Sequence, residues 1–162
     1  MNLIPPEARA LLGQPLGAPV SVTIHAADGE RFAHAAGDEN PIYFDAAAAR
    51  AAGYRTQLVP PGLLVWALEP PRPLDALRED GLWRATGTPV PLGVSRILYG
   101  GEDWEYRAPV HAGDTVTAET RLASLEEKRG GSGPFVLMTI ETTYTNQAGE
   151  IVAIARGQRI AR

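Results

Sequence analysis

Through the second half of the chain, apolar and polar residues alternate one by one. Val116, Ala118, Thr120 and Leu122 make one row, and Val136, Met138, Ile140, Thr142 and Tyr144 make the next. Thr139, Glu141, Thr143 and Thr145 fall on the opposite face of that second run. A period of two sends successive side chains to opposite sides, so each run predicts a strand with one inward face. Ile151 to Ile160 follows the turn Asn146-Gln147-Ala148-Gly149 as another strand. Ile97 and Tyr99, then Trp104 and Tyr106, keep the same period, and Gly100-Gly101 between them marks a bulge or bend. Four consecutive strands with short or Gly-rich connections predict an antiparallel meander. Val20, Val22 and Ile24 alternate with Ser21 and Thr23 as one earlier strand.

The first half carries helical signals. Glu7 to Leu12 reads as a short helix entered through Pro5-Pro6 and stopped at Gly13. Ala26 to Ala36 reads as a helix with Phe32 inward, although Gly29 in its middle costs about 1 kcal/mol relative to alanine. Asp45 stands at an N-cap position before Ala46 to Ala52, and Gly53 suits the left-handed residue that ends such a helix. Pro60-Pro61-Gly62 opens Leu63 to Leu68, which Pro70-Pro71 closes. That segment is apolar all round and is expected to be enclosed. Leu74 to Asp80, before Gly81, reads as one more helical turn. Helices followed by strands, with no linker, predict one α+β domain over residues 1–162, about five antiparallel strands wrapped around a central apolar helix. One sheet edge is left open for another subunit.

Composition narrows the function classes. The 162 residues carry 15 Lys+Arg against 19 Asp+Glu, a net charge of −4, which gives no basic face for nucleic acid. There is no cysteine, which excludes disulfides, thiolate nucleophiles and iron–sulfur clusters. Three scattered histidines make no metal site. No apolar stretch is long enough to span a bilayer, and the first residues lack a signal-peptide pattern, so a cytoplasmic location is expected.

Functional side chains are densest in Gly37-Asp38-Glu39-Asn40-Pro41-Ile42-Tyr43-Phe44-Asp45, a loop between two helices. Asn40-Pro41 turns the chain, so that Asp38 and Tyr43 can converge on one pocket; an Asx turn followed by a capped helix uses the same residues for the backbone alone. His34 precedes Asp38 by four residues and would share its face on an unbroken helix. His25 and His111 read as structural, and Gly130-Gly131-Ser132-Gly133 as a hairpin tip without the lysine of a phosphate loop. Lys128, Arg129, Arg156, Arg159 and Arg162 read as solvated strand ends, although they could also meet phosphates or an acidic partner.

The run Phe32-Ala33-His34-Ala35-Ala36-Gly37-Asp38-Glu39-Asn40-Pro41-Ile42-Tyr43-Phe44-Asp45 resembles the FAxxxGDxNPxHxD segment of MaoC-like, (R)-specific enoyl-thioester hydratases and dehydratases. Pro61-Gly62-Leu63 is similar to that family's start of the central helix. Trp104-Glu105-Tyr106, Pro109 to Asp114 and Glu127-Lys128-Arg129-Gly130 resemble its fungal-synthase-type N-terminal dehydratase branch. The resemblance runs from Val20 to Arg159 and implies a single hotdog fold. It also implies an acyl-CoA or acyl-carrier-protein thioester as substrate and no cofactor. Asp38 takes the place of the catalytic aspartate, the amide of Gly62 that of the enolate-stabilising donor, and Asn40 and Pro61 become substrate-binding positions.

Such chemistry needs an acid and a base to handle water and the α-proton, and a pre-aimed donor for the enolate oxygen. Tyr43 stands where the family has histidine, and a phenol titrating near 10 is no general base at neutral pH. Three readings follow. In the first, the chain is one subunit of a hotdog heterodimer whose companion supplies an intact Asp–His dyad, as in mycobacterial-type heterodimeric 3-hydroxyacyl-ACP dehydratases. In the second, it is a homodimeric hydratase using Asp38 with His34 or Tyr43. In the third, it is a non-enzymatic acyl-thioester binding or scaffold subunit. Trp66, Leu68 and Trp83 are expected to set pocket depth.

Overall fold

The computed structural model describes residues 3–68, 74–77, 79, 90–94 and 96–162. In chain order these form α1 (Pro6–Arg9), β1 (Val20–Thr23), α2 (Ala26–Ala36), a 3-10 turn (Pro41–Tyr43), α3 (Ala46–Ala51) and α4 (Leu63–Ala67). A second 3-10 turn (Leu74–Ala76) precedes β2 (Ile97–Tyr106), β3 (Thr115–Gly130), β4 (Gly133–Asn146) and β5 (Ile151–Ala161). The five strands make one antiparallel sheet in the order β1-β3-β4-β5-β2, laid over the short apolar α4. This is the α+β hotdog arrangement. Part of the turn expected from Leu74 to Asp80, together with Pro70-Pro71, Gly81 and Trp83, lies outside the described residues.

Local chemistry explains several boundaries. The Asp45 carboxylate accepts the Ala47 amide at 2.7 Å, and Gly53 at φ 93° turns the chain away after α3. Gly37, at φ 71°, ends α2. In β2 the register shifts between Tyr99 and Gly101, the bulge that the glycine pair predicts. Gly29 sits where α2 touches the chain at Val59; a Cβ there would lie 2.8 Å from Val59 Cγ1. Close approach thus offsets the helix cost of that glycine. α1 is shorter than expected, because after Arg9 the chain bends to lie along β3, with the Gly13 amide bonded to the Leu122 carbonyl at 2.8 Å.

Two expectations need correction. The meander covers only β3, β4 and β5, since β2 pairs with β5 at the far edge rather than with β3. Residues 107–114 are a crossover rather than a hairpin. They bond to residues 57–59 and return the chain to the opposite edge, where the Ile24 amide meets the Asp114 carbonyl at 2.8 Å. Second, α4 is enclosed on one face only. Leu63 and Leu64 are buried, whereas Val65 and Trp66 are 48% and 64% exposed. At about 3.6 residues per turn its side chains go right round the axis, so a helix laid on one sheet buries only the side that faces it. Glu141 sits on the outer face, as the alternation predicts, and is only 7% exposed. Arg121 Nε and Arg156 Nε, on the two flanking strands, donate to it at 3.0 and 2.8 Å and cover it.

Two hydrophobic clusters share the inner face. One holds Leu63, Leu64, Val59, Tyr144 and Ala155; the other holds Leu3, Ile4, Leu122, Val136 and Met138 beneath the N-terminal segment. No helix among the described residues is long and apolar enough to cross a membrane. The contact at Gly29 makes a direct test of α2 packing. Gly29→Ala gains helix propensity but overpacks against Val59, and a net loss of about 1–2 kcal/mol is expected in urea denaturation. A stabilised variant would contradict the close approach.

Candidate active site

The loop after α2 is organised by its own backbone. Asp38 Oδ1 accepts the Asn40 amide at 3.1 Å, Asn40 Oδ1 accepts the Ile42 amide at 3.2 Å, and the Asp38 amide bonds back to the Ala33 carbonyl at 2.9 Å. Asp38 and Asn40 are both exposed. His34 is exposed too, with its ring 4.7 Å from that of Phe44. Since α2 ends at Ala36 and the left-handed Gly37 intervenes, His34 and Asp38 do not share a helical face. His25 is the N-cap residue of α2.

Tyr43 is half-buried. With Pro61, Leu64, Tyr54, Tyr106 and Arg107 it lines a cavity of about 340 Å³. Burial and the charge of Asp38 both push its phenol above the ordinary tyrosine range, so it is a protonated donor at neutral pH. Asp38 therefore acts on Tyr43 through its field but does not line this cavity. Gly62 follows Pro61 at the head of α4, with the Phe32 ring 3.1 Å from where a Cβ would stand, so the ring and helix pack closely there. The Leu63 and Leu64 amides are bonded back to the Pro60 and Pro61 carbonyls at 2.9 and 3.3 Å. The cavity thus brings Tyr43 to Pro61, with Gly62 next along the chain, whereas Asp38, Asn40 and His34 are exposed and do not line it.

What holds Tyr43 was not visible in the sequence. Gln57, buried, donates Nε2 to the Tyr43 carbonyl at 2.7 Å and to Glu30 Oε1 at 3.0 Å. The Leu58 amide bonds to the Ile42 carbonyl, and the Val59 amide to the Val110 carbonyl, both at 3.0 Å. Beside this strap lies Asp114, 1% exposed. It accepts the His111 amide at 2.8 Å and Gln147 Nε2 at 2.7 Å, and is ion-paired with Arg55. His111 is buried against Tyr54, and among the described residues its Nδ1 has no hydrogen-bond partner. Only the spacing of Pro109 to Asp114 signals this latch; Gln57 and Arg55 carry no sequence signal. No group of three or more His, Asp or Glu suited to a metal ion occurs among the described residues.

Residues 10–155 match the family described as FAS1-like, dehydratase domain region. The chain belongs to that family. Its FAS1-like dehydratase region is 30% identical over 132 residues to a UPF0336 protein of Thermobifida fusca, covering 81% of this chain and 78% of that one. It is 28% identical over 130 residues to a probable enoyl-CoA hydratase alpha subunit of Thermomonospora curvata, covering 75% of this chain and 40% of that one. Among solved structures, the ChsH1–ChsH2 complex from Mycobacterium tuberculosis is similar with a TM-score of 0.70 and 21% identity, over 95% of this chain and 88% of that one.

The latch of this FAS1-like dehydratase fold makes its stability sensitive to acid. Burial, reinforced by the Arg55 charge and opposed by Asp114, holds His111 below the usual histidine range. A base whose folded pKa is lowered adds stability above its unfolded pKa of about 6.5, and loses it as pH falls through the folded value. Burial pushes the Asp114 carboxyl up, but bonds from Gln147, the His111 amide and Arg55 outweigh it and hold the pKa below the carboxylate range. Its contribution is present above about pH 3.9 and is lost on further acidification. Thermal midpoints are expected to fall in two stages, from about pH 6.5 and again from about pH 4, and His111→Phe should remove the first. A midpoint that rises between pH 7 and pH 5 would contradict this.

Proposed function

We propose that this chain is one hotdog subunit of an (R)-3-hydroxyacyl-thioester dehydratase, working reversibly as an enoyl-thioester hydratase, and that a companion hotdog supplies the catalytic histidine. The observation that carries the reading is Tyr43. In a chain of the dehydratase family, the position of the motif's imidazole holds a phenol that burial and Asp38 keep protonated. A phenol in that state orients a substrate or water by donation and takes no proton. The Thermomonospora curvata relative is named as an alpha subunit, and the ChsH1–ChsH2 structure is a complex of two chains; both support a paired arrangement.

The proposal takes residues 1–162 as one domain, with a CoA or carrier-protein thioester beside Pro61 and Tyr43. In the hydration direction, water oxygen bonds to the β-carbon while its proton leaves to the partner's base. The thioester carbonyl gathers charge as an enolate, and the α-carbon then takes a proton. The Gly62 amide is the proposed donor to the enolate oxygen, and a small residue there lets the carbonyl approach. Asp38 and Asn40, both exposed, are proposed to face the partner rather than the chain's own cavity.

The homodimeric reading is disfavoured by the separation of His34 from Asp38 and by its packing on Phe44. Assaying hydration of a short 2-enoyl-CoA distinguishes the readings. The purified chain alone is expected to run about 10²- to 10⁴-fold slower than the same chain mixed with a companion hotdog bearing a complete GDxNPxH motif. Turnover by the chain alone that Asp38→Asn abolishes would overturn the heteromer in favour of self-sufficiency. Acyl-CoA binding without turnover in either condition would leave a scaffold subunit.

A further inference from the structure

The inner face of the sheet is crossed by rows of directly opposed residues. One row reads Thr120, Thr142, Ala155, Trp104; its neighbours read Leu122, Ile140, Gly157, Glu102 and Ala118, Tyr144, Ala153, Tyr106. The Thr120 row lies on the seam between the two hydrophobic clusters, with Leu122 and Ile140 on one side and Ala118 and Tyr144 on the other. Small side chains at Ala155, Gly157, Thr120 and Thr142 leave the seam unfilled. Two adjoining cavities of about 360 and 240 Å³ open there, and both are lined by Val65, Thr120, Thr142 and Tyr144.

This seam is polar where a plain acyl channel would be apolar. Thr120 Oγ1 and Thr142 Oγ1 share one hydrogen bond of 3.0 Å. Two hydroxyls so joined keep one O–H and several lone pairs for a third group. Glu102, which accepts Trp104 Nε1 at 3.0 Å, and Arg159 line the same end of the cavity. An alkyl tail laid across these groups would strip their water and return nothing, a cost that a tail with its own oxygen avoids. Leu64 borders both this space and the cavity at Tyr43 and Pro61, so the two lie on either side of one buried side chain.

We infer that the seam between the two clusters is a recognition site for the far end of the acyl group, and that it selects tails bearing a hydroxyl or keto oxygen remote from the thioester, with Thr120 and Thr142 as specificity-determining residues. The inference rests on the acyl-thioester reading of the preceding subsection and goes beyond it in naming the substrate class.

Calorimetric titration of the full chain with decanoyl-CoA and a set of hydroxydecanoyl-CoAs, differing in hydroxyl position, tests it. At least one hydroxylated ligand is expected to bind about tenfold more tightly, one hydrogen bond's worth. Thr120→Val/Thr142→Val, close in shape, should erase that preference, with decanoyl-CoA bound at least as tightly as by the wild-type chain, and Thr120→Ser/Thr142→Ser should retain it. Equal or weaker binding of every hydroxylated ligand by the wild-type chain overturns the inference alone, as does a preference that survives the valine pair. Failure of every acyl-CoA to bind overturns the acyl-thioester reading with it.

Discussion

Residues 57–59 hold the molecule's functional end together, because three separate pieces of chain take their positions from them. The Leu58 amide and Gln57 side chain fix residues 42–43, and Val59 and Gln57 pair with the crossover at Val110 and Ala112. Val59 also fills the space that Gly29 leaves on α2. These are buried backbone bonds, whose loss would strand polar groups away from water. The Tyr43 loop, the head of α4 and the start of β3 therefore form one rigid unit, with the Asp114 latch tying in the β4–β5 turn through Gln147.

Above that unit the sheet divides its labour by face. Outside, Glu141 is clamped between Arg121 and Arg156, and Arg156 reaches on to Glu105 at 3.5 Å. Inside, small and hydroxylated side chains hold two apolar clusters apart and leave room between them. A sheet built this way is stiff across its strands yet keeps a lined space under α4, which is what a ligand-binding layer requires.

Much of this was legible in the sequence, and the rest was hidden for identifiable reasons. The span of α2, the Asp45 cap, the bulge at Gly100–Gly101 and the inward rows of β3 and β4 follow from periodicity and local chemistry, and the structure keeps them. The place of β2 beside β5 was not legible, because it depends on bonds between residues 57–59 and 110–112, far apart in sequence. Likewise the exposure of Val65 and Trp66 follows from α4 packing on one sheet only, and the cover over Glu141 from arginines on two other strands. At Asp38, the residue types that make an Asx turn and those that make a catalytic loop coincide. Sequence alone leaves both open, and the structure shows the carboxylate bonded to the Asn40 amide.

The functional account turns on one proton. Under the proposed function, a phenol that stays protonated leaves this chain a positioning half served by its partner's base; a phenolate near neutrality would put a base at Tyr43 itself. Titration of ¹³Cζ-labelled tyrosine by NMR, with Tyr43 assigned by difference from Tyr43→Phe, reads that proton directly. The account predicts that Tyr43 ionises above about pH 10. Ionisation of Tyr43 between about pH 6 and 8 would contradict it, by placing a working base inside the chain.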